Sequence, residues 1–291
     1  MLKISETDLI INADGSIYHL NLLPGDVADT VITVGDPDRV GEVSKHFDSI
    51  EFKKGKREFI THTGSLGGER LTVISTGMGT DNIDIVLNEL DALVNIDFET
   101  RLIKTQLKSL NIIRIGTSGA VQPGIPIDSL LVSKGALGLD VLMQYYQHDL
   151  DMDDEQILNR FKVELPVGYG LQPYYALPNA KLLEILASDL TKGITLTAPG
   201  FYAAQGRQVR AVSATPELMK NIQNYNYNGN RIANLEMETA GIYGLSTSLG
   251  HKAISFNVIL ANRATKVFSK QPAEIMEHFI GIILQRITNV L

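Results

Sequence analysis

The sequence predicts a single α/β domain, residues 1–291, with a mixed β-sheet flanked by helices. Three observations predict it. Short β-rich runs alternate with helical patterns along the chain, no Pro/Ser-rich linker or repeat divides them, and one pair of runs is joined through glycines as a hairpin. The 291 residues are 44% hydrophobic and 20% charged, the balance of an ordinary globule. A chain of this size hides roughly three quarters of its unfolded surface, so its core needs no disulfide or metal staple.

The elements follow in order. Thr30–Val34 is a short buried strand, stopped by Gly35 and Pro37 and followed by a helix over Val40–His46. Glu58–Thr63 and Arg70–Ser75 flank the Gly64–Gly68 turn region, which makes the sheet mixed. Apolar spacing predicts a helix over Ile83–Val94, and Ile112–Ile115 and Ser129–Ser133 read as strands. The helix Lys181–Leu190 precedes the strand Ile194–Thr197, and the helix Met237–Leu249 precedes the strand Ala253–Leu260. Pro272–Leu291 closes the chain as a helix, its proline fitting the first turn. Ile275, Phe279, Ile282, Ile283, Leu284 and Ile287 form too broad an apolar set for a membrane-surface stripe, and Arg286 is the one basic residue near them, so this helix is expected to face the core.

Composition removes several functions. With 26 basic and 33 acidic residues the net charge is −7, which argues against a nucleic-acid-coating surface or a polybasic membrane patch, although a local arginine cluster can still hold an anion. No cysteine is present, which excludes disulfides, thiol nucleophiles and cysteine-ligated metals. The amino terminus has no apolar core followed by a cleavage site, and no run approaches ~18 apolar residues, so a soluble cytoplasmic protein is expected. Asp149, Asp151 and Asp153 mimic a calcium loop, but Asp154 and Arg160 stand where it needs glycine and glutamate. The six histidines have no metal-ligand spacing, and Gly77-Met78-Gly79 lacks the third glycine of a dinucleotide fingerprint. No metal and no organic cofactor are expected.

Strand ends that combine glycine with arginine remain. In Val34-Gly35-Asp36-Pro37-Asp38-Arg39 a strand stops at a glycine whose N–H can approach an anion, and an arginine follows. In Arg114-Ile115-Gly116-Thr117-Ser118-Gly119 an arginine precedes small residues at what reads as a second strand end. Guanidinium forks and hydroxyls are suitable phosphate ligands; either segment alone also fits a plain turn with a surface arginine. Glu236 and Glu238 stand where a strand meets a helix, as caps or as acceptors for a pair of adjacent sugar hydroxyls.

In this order, VGDPDRV (34–40), RIGTSGAVQPGIPI (114–127), FYAAQGR (201–207), LEMETAGIYGL (235–245) and LANR (260–263) resemble the nucleoside phosphorylases of the uridine phosphorylase type. The resemblance runs from about His19 to Arg263. It implies a twisted mixed sheet, a homodimer as the minimal active unit with a hexamer left open, and phosphorolysis of a nucleoside, with inorganic phosphate as co-substrate. By the same resemblance Gly35, Arg39, Arg57, Arg114 and Thr117 are phosphate ligands, Arg57 reaching across the dimer. His19, also across the dimer, with Met237 and Glu238, serves the ribose, while Glu236 supports the site. Phe201, Gln205 and Arg207 serve the base. Asn262 stands where relatives acting on purines carry an aspartate, which favours uridine over purine nucleosides.

The chain also departs from the family pattern. Thr80-Asp81-Asn82 replaces the usual residues after the Gly-x-Gly turn, and the absence of a serine near Asn82 argues against the monovalent cation that some members hold beside the residue matching Glu58. Asn95–Ser109 is expected to lengthen the preceding helical region, and Asp149–Tyr175 matches no motif. Retained Arg39 and Arg114 speak against a hydrolase of the same superfamily, and retention of the principal site residues speaks against a binding protein without turnover.

Overall fold

The computed structural model describes residues 3–165 and 170–291, so 166–169 of the unmatched 149–175 stretch lie outside the described residues. In chain order the elements are β1 (Thr30–Val34), α1 (Pro37–Ser44), β2 (Ser49–Lys56), β3 (Phe59–Leu66), β4 (Glu69–Ser75), α2 (Thr80–Asn95), β5 (Ile96–Asp97), β6 (Leu102–Ile103), β7 (Asn111–Ala120) and β8 (Ser129–Gly138). There follow α3 (Met152–Glu164), β9 (Tyr174–Ala176), α4 (Ala180–Ala187), β10 (Thr191–Thr197), α5 (Leu218–Asn224), β11 (Ile232–Glu236), α6 (Thr239–Ser248), β12 (Lys252–Asn262), β13 (Val267–Phe268) and α7 (Pro272–Val290).

All strands except β5 and β6 join one mixed sheet. Its distinctive part is a closed ring: β7 pairs with β12, β12 with β8, β8 with β10, β10 with β11, and β11 returns to β7 through Leu235↔Gly119 and Asn234↔Ala120. From β7 the sheet continues outward through β1, β4 and β3 to the edge strand β2. Apolar residues on opposite faces meet different helices. Val31 and Ile112 pack with the residues of α2 and α6, while Ile32 and Ile113 pack with those of α1, α4 and α7. A third cluster joins Phe161 of α3 and Leu218 and Ile222 of α5 to β10 and β11. As expected, α7 buries Met276, Ile280, Ile283, Leu284 and Ile287.

Several boundaries differ from the sequence reading for identifiable reasons. The first helix begins at Pro37 and not Val40, because the Asp36 side chain caps it by accepting from Asp38 N and Pro37 occupies the first turn. Strand β7 continues through Gly116–Gly119 to Ala120, because β12 pairs with it over its whole length. Asn95–Ser109 does not lengthen the helix: α2 stops at Asn95, whose side chain accepts from Lys108 N and donates to Lys108 O, and the β5–β6 hairpin follows. The calcium-like aspartates begin a helix, with Asp151 accepting from Asp153 N and Asp154 N.

Candidate active site

The carboxyl ends of β1, β4, β10, β11 and β12, together with the middle of β7, border one cavity of about 800 Å³. Gly35, Arg39, Arg114, Thr117, Phe201, Gln205, Arg207, Met237 and Glu238 all line it. Nine of the eleven residues expected from the sequence are thus brought together.

The polar centre is built on β7 and β11. Arg114 is 5% exposed, and its Nη2 donates to Glu238 Oε2 at 2.6 Å and approaches Glu236 Oε2 at 3.0 Å. Its guanidinium folds back along its own strand over Gly116, where a Cβ would overlap it. Burial pulls the Arg114 pKa down, but Glu236 and Glu238 more than offset this, so the group is held above its usual value.

The two glutamates divide their work. Glu236 Oε2 accepts from the backbone N–H groups of Glu238 and Thr239 and from the Thr239 hydroxyl, each at 2.9 Å, while its Oε1 accepts from Thr197 at 2.6 Å. It therefore caps the start of α6. Glu238 accepts only from Arg114 and from Gly79 N, the latter at 2.8 Å, leaving lone pairs toward the cavity. Gly79 has φ +94°, the left-handed region, and presents its N–H in this way at the head of α2. Burial pushes the Glu238 carboxyl above its ordinary value; Arg114 opposes this and Glu236 adds to it.

The Arg39 backbone N–H donates to Asp36 O at 3.1 Å, but its guanidinium has no hydrogen-bond or ion-pair partner among the described residues, although it lines the same cavity. Burial lowers its pKa, Asp36 offsets part of that, and the positive charge of Arg114 lowers it further. Two guanidinium groups close enough to repel and partly withdrawn from water are chemically suited to an anion.

At the remaining wall, the Arg207 guanidinium carbon lies 3.8 Å from the centroid of the Phe201 ring. Arg207 Nη1 donates to Phe201 O at 2.7 Å and to Gln205 Oε1 at 2.6 Å. Burial and nearby Arg263 lower the Arg207 pKa to about 10, which still leaves it charged at neutral pH. Arg263 Nη1 donates to Gln205 O at 3.0 Å, tying this loop to the end of β12.

His19 and Arg57 do not line the cavity of their own chain. They meet around Tyr18, with the His19 ring 4.7 Å and the Arg57 guanidinium carbon 5.9 Å from its ring centroid. Glu89 Oε1 lies 2.6 Å from His19 Nδ1 and also accepts from the backbone of His19, and Nε2 makes no hydrogen bond among the described residues. Asn262 is turned away from the cavity. Its amide donates to Gln122 O and Ile125 O and accepts from Ala264 N and Thr265 N.

The sequence reading missed Met78, Asn82 and Phe268 as cavity residues, and Glu58 as more than a cation candidate. Phe268 is 61% exposed on the two-residue strand β13, and no periodic pattern marks it. Among the described residues no group of three or more His, Asp or Glu side chains is arranged to hold a metal ion, and no helix is long and apolar enough to cross a membrane.

A ringed mixed sheet whose strand ends gather guanidinium groups and an open carboxylate defines an α/β protein with one charged cavity. The chain belongs to the phosphorylase superfamily, whose sequence model matches residues 29–287. It is 32% identical over 257 residues to a uridine phosphorylase of Thermococcus kodakarensis, covering 88% of this chain and 81% of that one. It is 27% identical over 260 residues to a DeoD-type purine nucleoside phosphorylase of Chromobacterium violaceum, covering 87% and 91%. Among solved structures, a Trypanosoma brucei nucleoside phosphorylase that shows uridine phosphorylase activity superposes with a TM-score of 0.88 at 31% identity, over 97% of this chain and 100% of that one.

Proposed function

We propose that this chain catalyses phosphorolysis of a pyrimidine nucleoside, uridine foremost, to free base and ribose 1-phosphate. The observation that carries it is one cavity holding the unpartnered guanidinium of Arg39, the open carboxylate of Glu238 and the stacked Arg207. Arg39, Arg114, Thr117 and the backbone at Gly35 hold phosphate. Glu238 accepts from the 2′- and 3′-hydroxyls, with Met237 against the sugar. Phe201, Gln205 and Arg207 receive the base.

A phosphate oxygen forms the new bond to C1′ as the C1′–N1 bond breaks. The bonding pair leaves with the base, and its charge spreads onto the carbonyl oxygens. Arg207, whose Nη2 and Nε make no hydrogen bond among the described residues, and the Gln205 amide N–H donate to those oxygens. Fixing phosphate and sugar in line supplies the rest of the rate. No organic cofactor or metal enters this scheme. A purine-specific site would want an acid near N7, and the Asn262 amide is already committed to four backbone groups.

His19 and Arg57 belong in this reading to the partner's cavity, the homodimer being the smallest complete unit and the cytoplasm its setting. The deciding experiment is release of free base from a nucleoside panel with and without inorganic phosphate. Uracil release that requires phosphate is expected; equal release in phosphate-free buffer would mean a hydrolase.

A further inference from the structure

The strands of the closed ring converge polar side chains where a barrel of this size ordinarily holds apolar ones. Arg114 Nη1 donates to Asn257 Oδ1 at 3.1 Å. Asn257 Nδ2 donates to Ser133 Oγ at 2.9 Å, and Ser133 Oγ lies 2.5 Å from Thr195 Oγ1. Thr195 Oγ1 donates to Asn234 Oδ1 at 2.8 Å, and Asn234 Nδ2 donates to Ser118 Oγ at 3.0 Å. Asn257, Ser133, Thr195 and Asn234 are each 0% exposed; β12, β8, β10 and β11 contribute one residue apiece, and β7 supplies both ends, Arg114 and Ser118.

The direction of this chain is fixed at one end. A guanidinium can only donate, so the Asn257 oxygen must face Arg114 and its NH2 must face Ser133. Ser133 then donates its hydroxyl hydrogen bond to Thr195, Thr195 donates to Asn234 Oδ1, and Asn234 Nδ2 donates to Ser118, which lines the cavity.

We propose that Asn257 is a positioning residue for the candidate phosphate site. It aligns Arg114 through a neutral oxygen, holding the guanidinium without cancelling more of its charge. This rests on the reading of Arg114 as a phosphate ligand. Glu236 and Glu238 already bring two carboxylates to one cation. A third would have to be outcompeted by phosphate, whereas no acceptor at 257 would leave Nη1 only its longer contact to Ser255 Oγ at 3.5 Å. An amide avoids both, and its NH2 is itself immobilised by the ring.

The test is titration of the purified protein with inorganic phosphate, by calorimetry or thermal shift, beside steady-state kinetics with uridine. Asn257→Asp keeps shape and acceptor but adds charge; it is expected to weaken phosphate binding about tenfold, the scale of one charge-assisted hydrogen bond, with uridine KM changed less than about threefold. Asn257→Ser, small and neutral, is expected to shift phosphate affinity in the same direction and covers the case in which the aspartate does not fold. Ser133→Ala breaks the chain beyond Asn257 and is expected to weaken phosphate less than about threefold. Wild-type phosphate affinity in folded Asn257→Asp or Asn257→Ser overturns the proposal, as does a parallel rise of phosphate and uridine KM in all three variants. If the parent protein binds no phosphate, the Arg114 reading falls and this proposal with it; if it binds phosphate but releases uracil without it, the phosphorolysis reading fails alone.

Discussion

Arg114 and Glu238, 124 residues apart in sequence, are bonded to each other at 2.6 Å with side-chain exposures of 6% and 8%. Removing one partner of a buried pair generally costs on the order of 3–5 kcal/mol, because the other charge is left uncompensated. For Arg114 the loss is softened by Glu236 at 3.0 Å, while Glu238 would retain only Gly79 N. The pair thus ties the β7 and β11 walls of the cavity together.

Glu238 titrates above the ordinary 4.5 because burial favours its neutral form. A raised carboxylate contributes stability that is present below the ordinary value and lost as pH rises through the folded one. In the proposed reading its ionised form accepts from the ribose hydroxyls, so the acid limb of kcat/KM for uridine should lie above pH 4.5. Glu238→Gln should abolish that limb and lower kcat/KM about a hundredfold for ribosides, less for 2′-deoxyribosides, which lack one partner hydroxyl. Equal losses for both sugars in a pH-rate series would leave Glu238 a purely structural part.

Arg207→Ala should lower kcat for uridine by roughly 10²–10³, the scale of removing one donor from a developing anion, while phosphate KM stays within about twofold. The lost charge lies at the leaving group and not at the nucleophile. Unchanged uridine kinetics would remove Arg207 from the base site.

Asn262→Asp should not create purine phosphorolysis. It replaces an NH2 that satisfies Gln122 O and Ile125 O with an oxygen that repels them, a loss of about 1–3 kcal/mol. The expected result is a lower Tm with no gain on inosine or adenosine; a folded variant that cleaves inosine would show that position 262 reaches the base.

Arg57→Ala and Glu238→Ala homodimers should each be nearly inactive, and mixing them by co-expression should restore activity. Random pairing makes half the dimers mixed, each with one intact site of two, so recovery should approach about one quarter of the parent activity. Verified heterodimers without recovery would place Arg57 within its own chain's chemistry or outside it.

The fold class and part of the candidate site were legible in local signals, while Phe201, Gln205, Arg207, Met237, His19 and Arg57 were named only through the family resemblance. Gly35, Pro37 and Arg39 punctuate a strand, and Glu236 and Glu238 mark the head of a helix. What stayed hidden depends on partners far away in sequence. The strand β7 was read too short because its inward residues after Ile115, Gly116 and Ser118, look like a turn; they are tolerated in a strand because the ring they face is polar. The strand β2, with Lys53, Lys54 and Lys56, carries the charge of a protected sheet edge and little apolar alternation. No local signal could separate the capping glutamate from the open one, since that division is made by Thr197, Arg114 and Gly79. Phe268 lacked any marker because its place at the cavity comes from the pairing of β13 with β12.

The closed ring has an evolutionary consequence. Arg114, Thr117 and Glu236 are rooted in ring strands that cannot slip register without opening the whole circuit, whereas Phe201, Gln205 and Arg207 sit on a connection between β10 and α5 with no strand pairing among the described residues. The two halves of the cavity can therefore drift at different rates. Under the proposed function, base preference can change by rewriting that single connection while the strands that carry Arg114 and Glu236 stay as they are.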